Sequence, residues 1–110
     1  MRLFVALALL GPAIFAQGPQ PAGKNIQELP WGVNTQQIMT GFKTALGVEC
    51  TFCHVAGDFA SDTNPKKETA RGMMRLMRDI NYRFPDAKIH VTCYTCHRGQ
   101  TEPQTAAPAK

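Results

Sequence analysis

Cys50-Thr51-Phe52-Cys53-His54 and Cys93-Tyr94-Thr95-Cys96-His97 are two copies of the pattern C-x-x-C-H, and they contain all four cysteines of the 110-residue chain. This pattern is the attachment motif of haem c. Two thiols at this spacing on a helical turn reach the two vinyl groups on one edge of a porphyrin, and the next histidine presents its imidazole to the iron. The chain is therefore expected to carry two haem c groups. Their predicted protein ligands are Cys50, Cys53, Cys93 and Cys96 as thioethers and His54 and His97 at the iron.

Three other interpretations of the cysteines account for less of the pattern. A zinc site built from two C-x-x-C pairs is chemically reasonable, but it has no need of a histidine directly after each pair. A disulfide framework suits an exported chain with four cysteines, yet it also leaves His54 and His97 unexplained. A thioredoxin-like redox pair requires a βαβ context, which the sequence lacks.

The N-terminus has the pattern of a secretory signal peptide. Arg2 supplies a positive charge, residues 3–10 are apolar, and a small residue, Ala16, ends the segment before the composition turns polar. The apolar run is too short to span a bilayer. We therefore expect residues 1–16 to be a signal peptide cleaved near Ala16, which would place the mature protein in the periplasm.

The formal net charge of +4 says little about partners. The propionates of two haems would offset it, so the basic pI is no argument for nucleic-acid binding, and none is expected. Proline, glycine and polar residues mark both ends of the mature chain. Residues 17–25 are predicted to be a flexible lead-in and residues 101–110 a disordered tail, which leaves residues 26–100 as one small domain.

Two helices are predicted ahead of the two motifs. The first begins at Asn34-Thr35 and ends at Gly47, which are good residues for an N-terminal and a left-handed C-terminal cap. The second begins at Asn64-Pro65 and ends near Arg83, before Pro85. No stretch alternates convincingly with period two. The predicted fold is mainly α, with two helix–CxxCH units and little or no strand.

The apolar residues of these helices recur at spacings of three and four. On the second helix, the arginines at 71, 75 and 78 are expected on the opposite, solvated side. A domain of this size buries a modest fraction of its surface, so the chain is expected to fold poorly without its haems. The predicted core residues are Ile26, Leu29, Trp31, Ile38, Met39, Phe42, Leu46, Phe52, Met73, Met77, Ile80 and Phe84.

The sixth iron ligand decides what a haem protein of this kind does. An iron closed by methionine or histidine transfers electrons, whereas an open one binds small molecules or activates peroxide. Met39 lies on the apolar face of the first helix and Met73 on that of the second. Helical spacing alone does not separate iron ligation from core packing, and it does not favour Met73 over Met77.

Four segments resemble the cytochrome c subunit of purple-bacterial photosynthetic reaction centres. They are Leu46–His54 (LGVECTFCH), Thr69–Met73 (TARGM), Met77–Asn81 (MRDIN) and Val91–Gly99 (VTCYTCHRG). The resemblance covers roughly residues 26–100. That family carries four haems in two similar pairs, and this chain resembles one pair standing alone.

The resemblance implies a choice among the methionines. In the family, a helix ahead of each motif supplies the axial methionine of most haems, and the matching positions here are Met39 and Met73. Met74 and Met77 then become packing residues. One family haem takes a second histidine from the loop after the second helix. The only histidine in the shorter loop here is His90. We expect it at the surface, or in contact with an iron ligand rather than with the iron itself.

These observations predict a periplasmic dihaem cytochrome c that transfers electrons and is not an enzyme. Its partners would be other redox proteins, and a membrane-bound redox complex that contains the chain as a subunit is a further hypothesis. The alternative from the enzyme class is a small haem peroxidase or gas-binding sensor with one labile distal ligand. No distal acid–base pair is evident in the sequence to favour it.

Overall fold

The computed structural model describes residues 23–30 and 32–110. The predicted signal peptide at residues 1–16, most of the lead-in and the predicted core residue Trp31 lie outside the described residues. No helix within the described ranges is both long enough and apolar enough to cross a membrane.

Three α-helices follow one another along the described chain. They are α1 (Thr35–Leu46), α2 (Lys66–Tyr82) and α3 (Cys93–His97), with a 3-10 turn at Cys50–Phe52 between the first two. An isolated bridge between Val55 and Asp58 is the strand-like pairing found among these residues. The predicted class is confirmed: the fold is mainly α, and a helix precedes each C-x-x-C-H motif.

Helix α1 has the predicted bounds. The Asn34 side-chain oxygen accepts a hydrogen bond from the backbone N–H of Gln37 at 3.0 Å, which satisfies one of the free donors of the first turn. Gly47 ends the helix in the left-handed conformation, with φ of 65°. The helix therefore stops at the residue that leads into the first motif.

Helix α2 begins one residue later than expected. Pro65 is the cap residue and Lys66 the first helical one, while the Asn64 side-chain oxygen accepts from the Lys66 N–H at 3.1 Å. At the other end, the Arg83 N–H donates to the Ile80 carbonyl at 3.1 Å. This tightening of the last turn ends the helix before Pro85, as predicted.

The turn after α3 packs on the C-terminal end of α1. The Gly99 N–H donates to the Ala45 carbonyl at 2.8 Å, and Gly99 has φ of 84°. A Cβ atom on Gly47 would overlap the Gly99 carbonyl oxygen. The two backbones can approach this closely because Gly47 has no Cβ atom, and this contact joins the end of the second motif to the start of the first.

The interior contains few fully buried side chains. Among the described residues only Ala45 and Arg71 are buried, with 5% and 6% of their surface exposed. None of the described members of the predicted core is buried to this degree. Most of them line two cavities instead: Ile26, Leu29, Met39, Phe42, Leu46, Phe52, Met73, Met77 and Ile80.

The expectation that Arg71 faces solvent is wrong. Its guanidinium lies 2.8 Å from Asp62 and 3.1 Å from Glu68. The loop before α2 folds back over the helix and carries Asp62 to it, so the arginine is buried with two carboxylates beside it. Helical periodicity could not reveal this, because the partner carboxylate of Asp62 comes from outside the helix.

Arg75 and Arg78 remain partly exposed, and both bind one carboxylate. Their guanidinium groups lie 2.6 Å and 2.9 Å from the two oxygens of Glu28, whose side chain is only 14% exposed. Arg78 also donates to the Glu28 carbonyl at 3.1 Å. These arginines therefore fasten the segment before α1 to the middle of α2.

Replacing Gly47 with alanine is expected to destabilise the protein strongly. The left-handed backbone alone costs a residue with a Cβ about 1–2 kcal/mol, and the overlap with the Gly99 carbonyl adds to it. Gly41→Ala is the matched control, since no atom lies within 4 Å of a Cβ there and the helix should gain about 0.5–1 kcal/mol. Urea unfolding measures both. Equal urea midpoints for Gly47→Ala and Gly41→Ala would contradict the role assigned to the contact between Gly47 and Gly99.

Candidate haem-binding sites

The first motif forms a tight turn directly after α1. The N–H groups of Cys53 and His54 both donate to the Cys50 carbonyl, at 3.3 Å and 3.0 Å. This turn brings both thiols and the imidazole to one cavity of about 430 Å³, which Met39 also lines. The predicted ligands Met39, Cys50, Cys53 and His54 therefore share one cavity.

The second motif is helix α3 itself. Its first turn is fixed by Thr95, whose hydroxyl accepts from the Thr92 N–H at 2.9 Å. The helix ends after His97 because Arg98 adopts the left-handed conformation, with φ of 53°. The four predicted ligands of the second haem, Met73, Cys93, Cys96 and His97, line one cavity of about 390 Å³.

Both histidines are held by a backbone carbonyl through Nδ1. His54 Nδ1 lies 3.0 Å from the Phe59 carbonyl oxygen, and His97 Nδ1 lies 3.0 Å from that of Gln100. A carbonyl oxygen only accepts, so Nδ1 carries the proton in each ring. Nε2 then keeps its lone pair and is free to bind a metal, which is the usual arrangement behind a histidine ligand.

The methionines differ in which cavity they line. Met39 lines the first cavity, Met73 and Met77 line the second, and Met74 lines both. Within the described ranges, Met39 and Met74 are therefore the two methionines at the first cavity, and Met39 is the one that lines this cavity alone. At the second cavity, the choice of Met73 over Met77 stays a prediction from the resemblance.

The residues present fit two haem c groups. Both cavities fall in the range of about 300–1,000 Å³ that encloses small-molecule cofactors. Each has two thiols, an imidazole with a free Nε2 and at least one thioether, and all four cysteines are free thiols. Cys50 lines only the first cavity, and Cys93 and Cys96 line only the second, whereas a four-cysteine zinc site needs all four thiols together.

One apolar wall separates the two cavities. Phe42 and Leu46 from α1, Ala70 and Met74 from α2, and Cys53 line both of them. Burial raises the pKa of the Cys53 thiol, and it raises that of Cys93 at the second cavity. One thiol of each pair is therefore sheltered while its partner, Cys50 or Cys96, is exposed.

His90 lies outside the lining of both cavities. Its Nε2 is 2.9 Å and 3.0 Å from the two oxygens of Asp86, and its ring stacks on Phe84 with the centroids 4.0 Å apart. The residue closes the loop between α2 and the second motif. This placement agrees with the expectation of a surface position.

Asn81 holds the same loop, and the sequence analysis passed over it. Its oxygen accepts from the N–H groups of His90 and Val91 at 2.8 Å and 2.9 Å, and its amide donates to the carbonyls of Met77 and Val91 at 3.0 Å and 2.7 Å. The available signal in the sequence was that Asn81, a polar residue, lies on the apolar face of α2 in its last turn. Asn81 thereby positions the chain that enters the second motif.

The loop after the first motif is held by Lys67, which was also missed. Its ammonium donates to the carbonyls of Phe59, Ala60 and Ser61 at 2.8–2.9 Å. Its side chain is 12% exposed. A lysine near the start of an amphipathic helix is usually solvated, so no pattern in the sequence pointed to this contact.

Within the described ranges, no group of three His, Cys, Asp or Glu side chains is placed to hold a bare metal ion.

Comparison with known proteins agrees with this arrangement. The family model of the photosynthetic reaction centre cytochrome C subunit matches residues 13–84 and 33–107. Cytochrome c-554 of Chloroflexus aurantiacus is 38% identical over 105 residues, which covers 80% of this chain. The photosynthetic reaction center cytochrome c subunits of Thermochromatium tepidum and Rubrivivax gelatinosus are 44% and 32% identical over 52% and 76% of it. The alignments span 25%, 15% and 27% of these three relatives, so the chain matches about a quarter of their length or less.

Replacing Asn81 with alanine should loosen the entry to the second motif. The part-buried N–H of Val91 loses its acceptor, and leaving such a group without a partner costs about 1–3 kcal/mol, while water can replace the acceptor of the exposed His90 N–H. Asp79→Ala, on the same exposed helix end, should leave the unfolding free energy nearly unchanged. Hydrogen exchange at residues 90 and 91 gives a local measurement, and unchanged protection there in Asn81→Ala would contradict the assignment.

The ion pair of Asp62 predicts a pH-dependent stability. Arg71 above all, with Asn25 and Lys67, holds the pKa of Asp62 below its ordinary value of 3.8. The contribution is therefore present above that value and is lost as the pH falls toward the lower pKa of the folded state. Asp62→Asn should lower the melting temperature at neutral pH, and the difference from the parent should shrink below pH 3.8. A difference that stays constant would contradict it.

Proposed function

Because the chain belongs to the family of photosynthetic reaction centre cytochrome c subunits, we propose that it is a periplasmic dihaem c-type cytochrome that transfers electrons between redox partner proteins. One observation carries the proposal: two cavities share a wall, and each is lined by two motif thiols, a histidine with a free Nε2, and a methionine. Family membership makes haem c the cofactor. The number of haems and the location are the parts we propose.

Haem iron, when bound, supplies a one-electron ferric–ferrous couple. Ligands from the chain would then occupy the positions on the iron that small molecules or peroxide would otherwise take. Cys50 and Cys53, or Cys93 and Cys96, tether each group, while His54 and His97 are oriented by their carbonyls. Met39 and Met73 are the proposed distal ligands, and methionine in that position raises the reduction potential.

The shared wall supports transfer within the molecule. Phe42, Ala70 and Met74 contact both cavities, so groups bound in them would be separated by single side chains. Neither cavity is lined by a histidine other than its own motif histidine. The alternative of a peroxidase therefore gains no distal base from the described residues.

Two of the relatives are named as cytochrome c subunits of a photosynthetic reaction center. For this chain we propose a redox protein as partner, either soluble or part of a membrane-bound complex. Export through the signal peptide at residues 1–16 would place the haems on the periplasmic side. No nucleic acid is proposed as a partner.

The mass of the purified protein tests the haem number and the cleavage site together. After expression with a c-type maturation system, we expect a chain that starts near residue 17 and carries two haems. Cys93→Ala/Cys96→Ala should carry one haem, and so should the matched variant Cys50→Ala/Cys53→Ala. A parent protein with a single haem would contradict the dihaem proposal.

Carbon monoxide binding tests the distal ligands. The reduced parent should bind almost none, because both irons are closed. Met39→Ala and Met73→Ala should each open one haem to the gas, whereas Met77→Ala, in the lining of the same cavity as Met73, should not. Fast binding at both haems of the parent would instead support the gas-binding or peroxidase alternative.

A further inference from the structure

The two proximal histidines have unequal partners. The Phe59 carbonyl oxygen accepts from His54 Nδ1 at 3.0 Å and also from the Lys67 ammonium at 2.9 Å. The Gln100 carbonyl oxygen accepts from His97 Nδ1 at 3.0 Å, and no second donor to it is found among the described residues. The first haem site therefore has a cation two hydrogen bonds away from its iron ligand, and the second has none in the equivalent place.

The ammonium of Lys67 is fixed in this position. It also donates to the carbonyls of Ala60 and Ser61, and its side chain is mostly buried. Asp62 lies 3.2 Å from it, but the same carboxylate oxygen is 2.8 Å from Arg71. The single charge of Asp62 is thus shared between two cations, and the charge of Lys67 is not cancelled by it.

A hydrogen bond from Nδ1 to a carbonyl makes a histidine ligand more basic. A more basic ligand stabilises the more highly charged ferric iron. A cation on the same carbonyl withdraws electron density from the oxygen and makes it a weaker acceptor for the histidine. It also places a positive charge close to the iron, where poor screening in the protein interior strengthens its effect. Both effects disfavour the ferric state at the first haem.

We propose that Lys67 is a positioning residue that acts through the Phe59 carbonyl and His54 to raise the reduction potential of the first haem. The inference rests on the proposed function, since it needs a haem at the first motif. The higher potential affects how an electron is distributed between the two haems. This contribution favours an electron on the haem held by Cys50 and Cys53.

Redox titration of the full-length, haem-loaded protein tests this inference. The parent and Lys67→Gln are titrated by spectroelectrochemistry, and the one-electron step displaced by Met39→His is assigned to the first haem. Lys67→Gln should shift that step alone to a more negative potential. At a fixed potential its ferric-to-ferrous ratio should rise several-fold, where a tenfold rise corresponds to about 59 mV for a one-electron couple.

Three further variants isolate the contact. Lys67→Arg keeps the charge and a donor, so the first step should stay near the parent value. Lys24→Gln removes a charge from the lining of the same cavity without touching the Phe59 carbonyl, and its effect should be clearly smaller. Lys67→Met keeps the length of the side chain and serves if the glutamine variant does not fold.

The sign of the shift separates this inference from a merely structural role. If Lys67 only holds the loop, its loss weakens the bond between His54 and Phe59, and the potential of the first haem rises. A rise, no shift, or an equal shift in Lys24→Gln would overturn the inference. If Met39→His moves neither step, the proposed distal ligand is wrong, and the first haem is assigned instead in Cys93→Ala/Cys96→Ala, which keeps that haem alone and in which Lys67→Gln should still lower the potential.

Discussion

The whole arrangement depends on an apolar wall that has a cavity on each side. Phe42 and Leu46 from α1 line both cavities, and so do Ala70 and Met74 from α2. In most small domains such residues would pack against other side chains and exclude water from a common core. Here they line a cavity on each side, and among the described apolar residues only Ala45 is buried. The proposed two haems would complete this interior and would add buried apolar area that so short a chain does not supply by itself.

The polar contacts serve the same arrangement from outside. Backbone carbonyls of Phe59 and Gln100 orient the two motif histidines, and side chains of α2 hold two of the neighbouring loops. Lys67 holds the loop after the first motif, and Asn81 holds the loop before the second. One helix thus supports both sites from its two ends, while its middle contributes to the wall between them.

Sequence patterns predicted the parts of this molecule that depend on local chemistry. The cap residues Asn34 and Gly47 act within a few neighbouring residues, and α1 has the bounds that they predict. The C-x-x-C-H spacing is equally local, and the haem ligands that it predicts stay a prediction. The burial of Arg71 and the contacts of Lys67 and Asn81 depend on loops that return to α2 from elsewhere in the chain. The prediction that the apolar residues form a buried core is wrong, since Met73, Ile80 and Phe84 are exposed. Most of the set lines the two cavities, and periodicity cannot tell whether apolar residues face other side chains or a cavity.

The contact between Gly47 and Gly99 has a consequence for the order of events as the chain is made. Helix α1 and the first motif are synthesised well before the glycine whose N–H closes on Ala45, and contacts between distant parts of a chain form late. Until that segment arrives, the C-terminal end of α1 lacks the hydrogen bond that the Gly99 N–H donates to the Ala45 carbonyl.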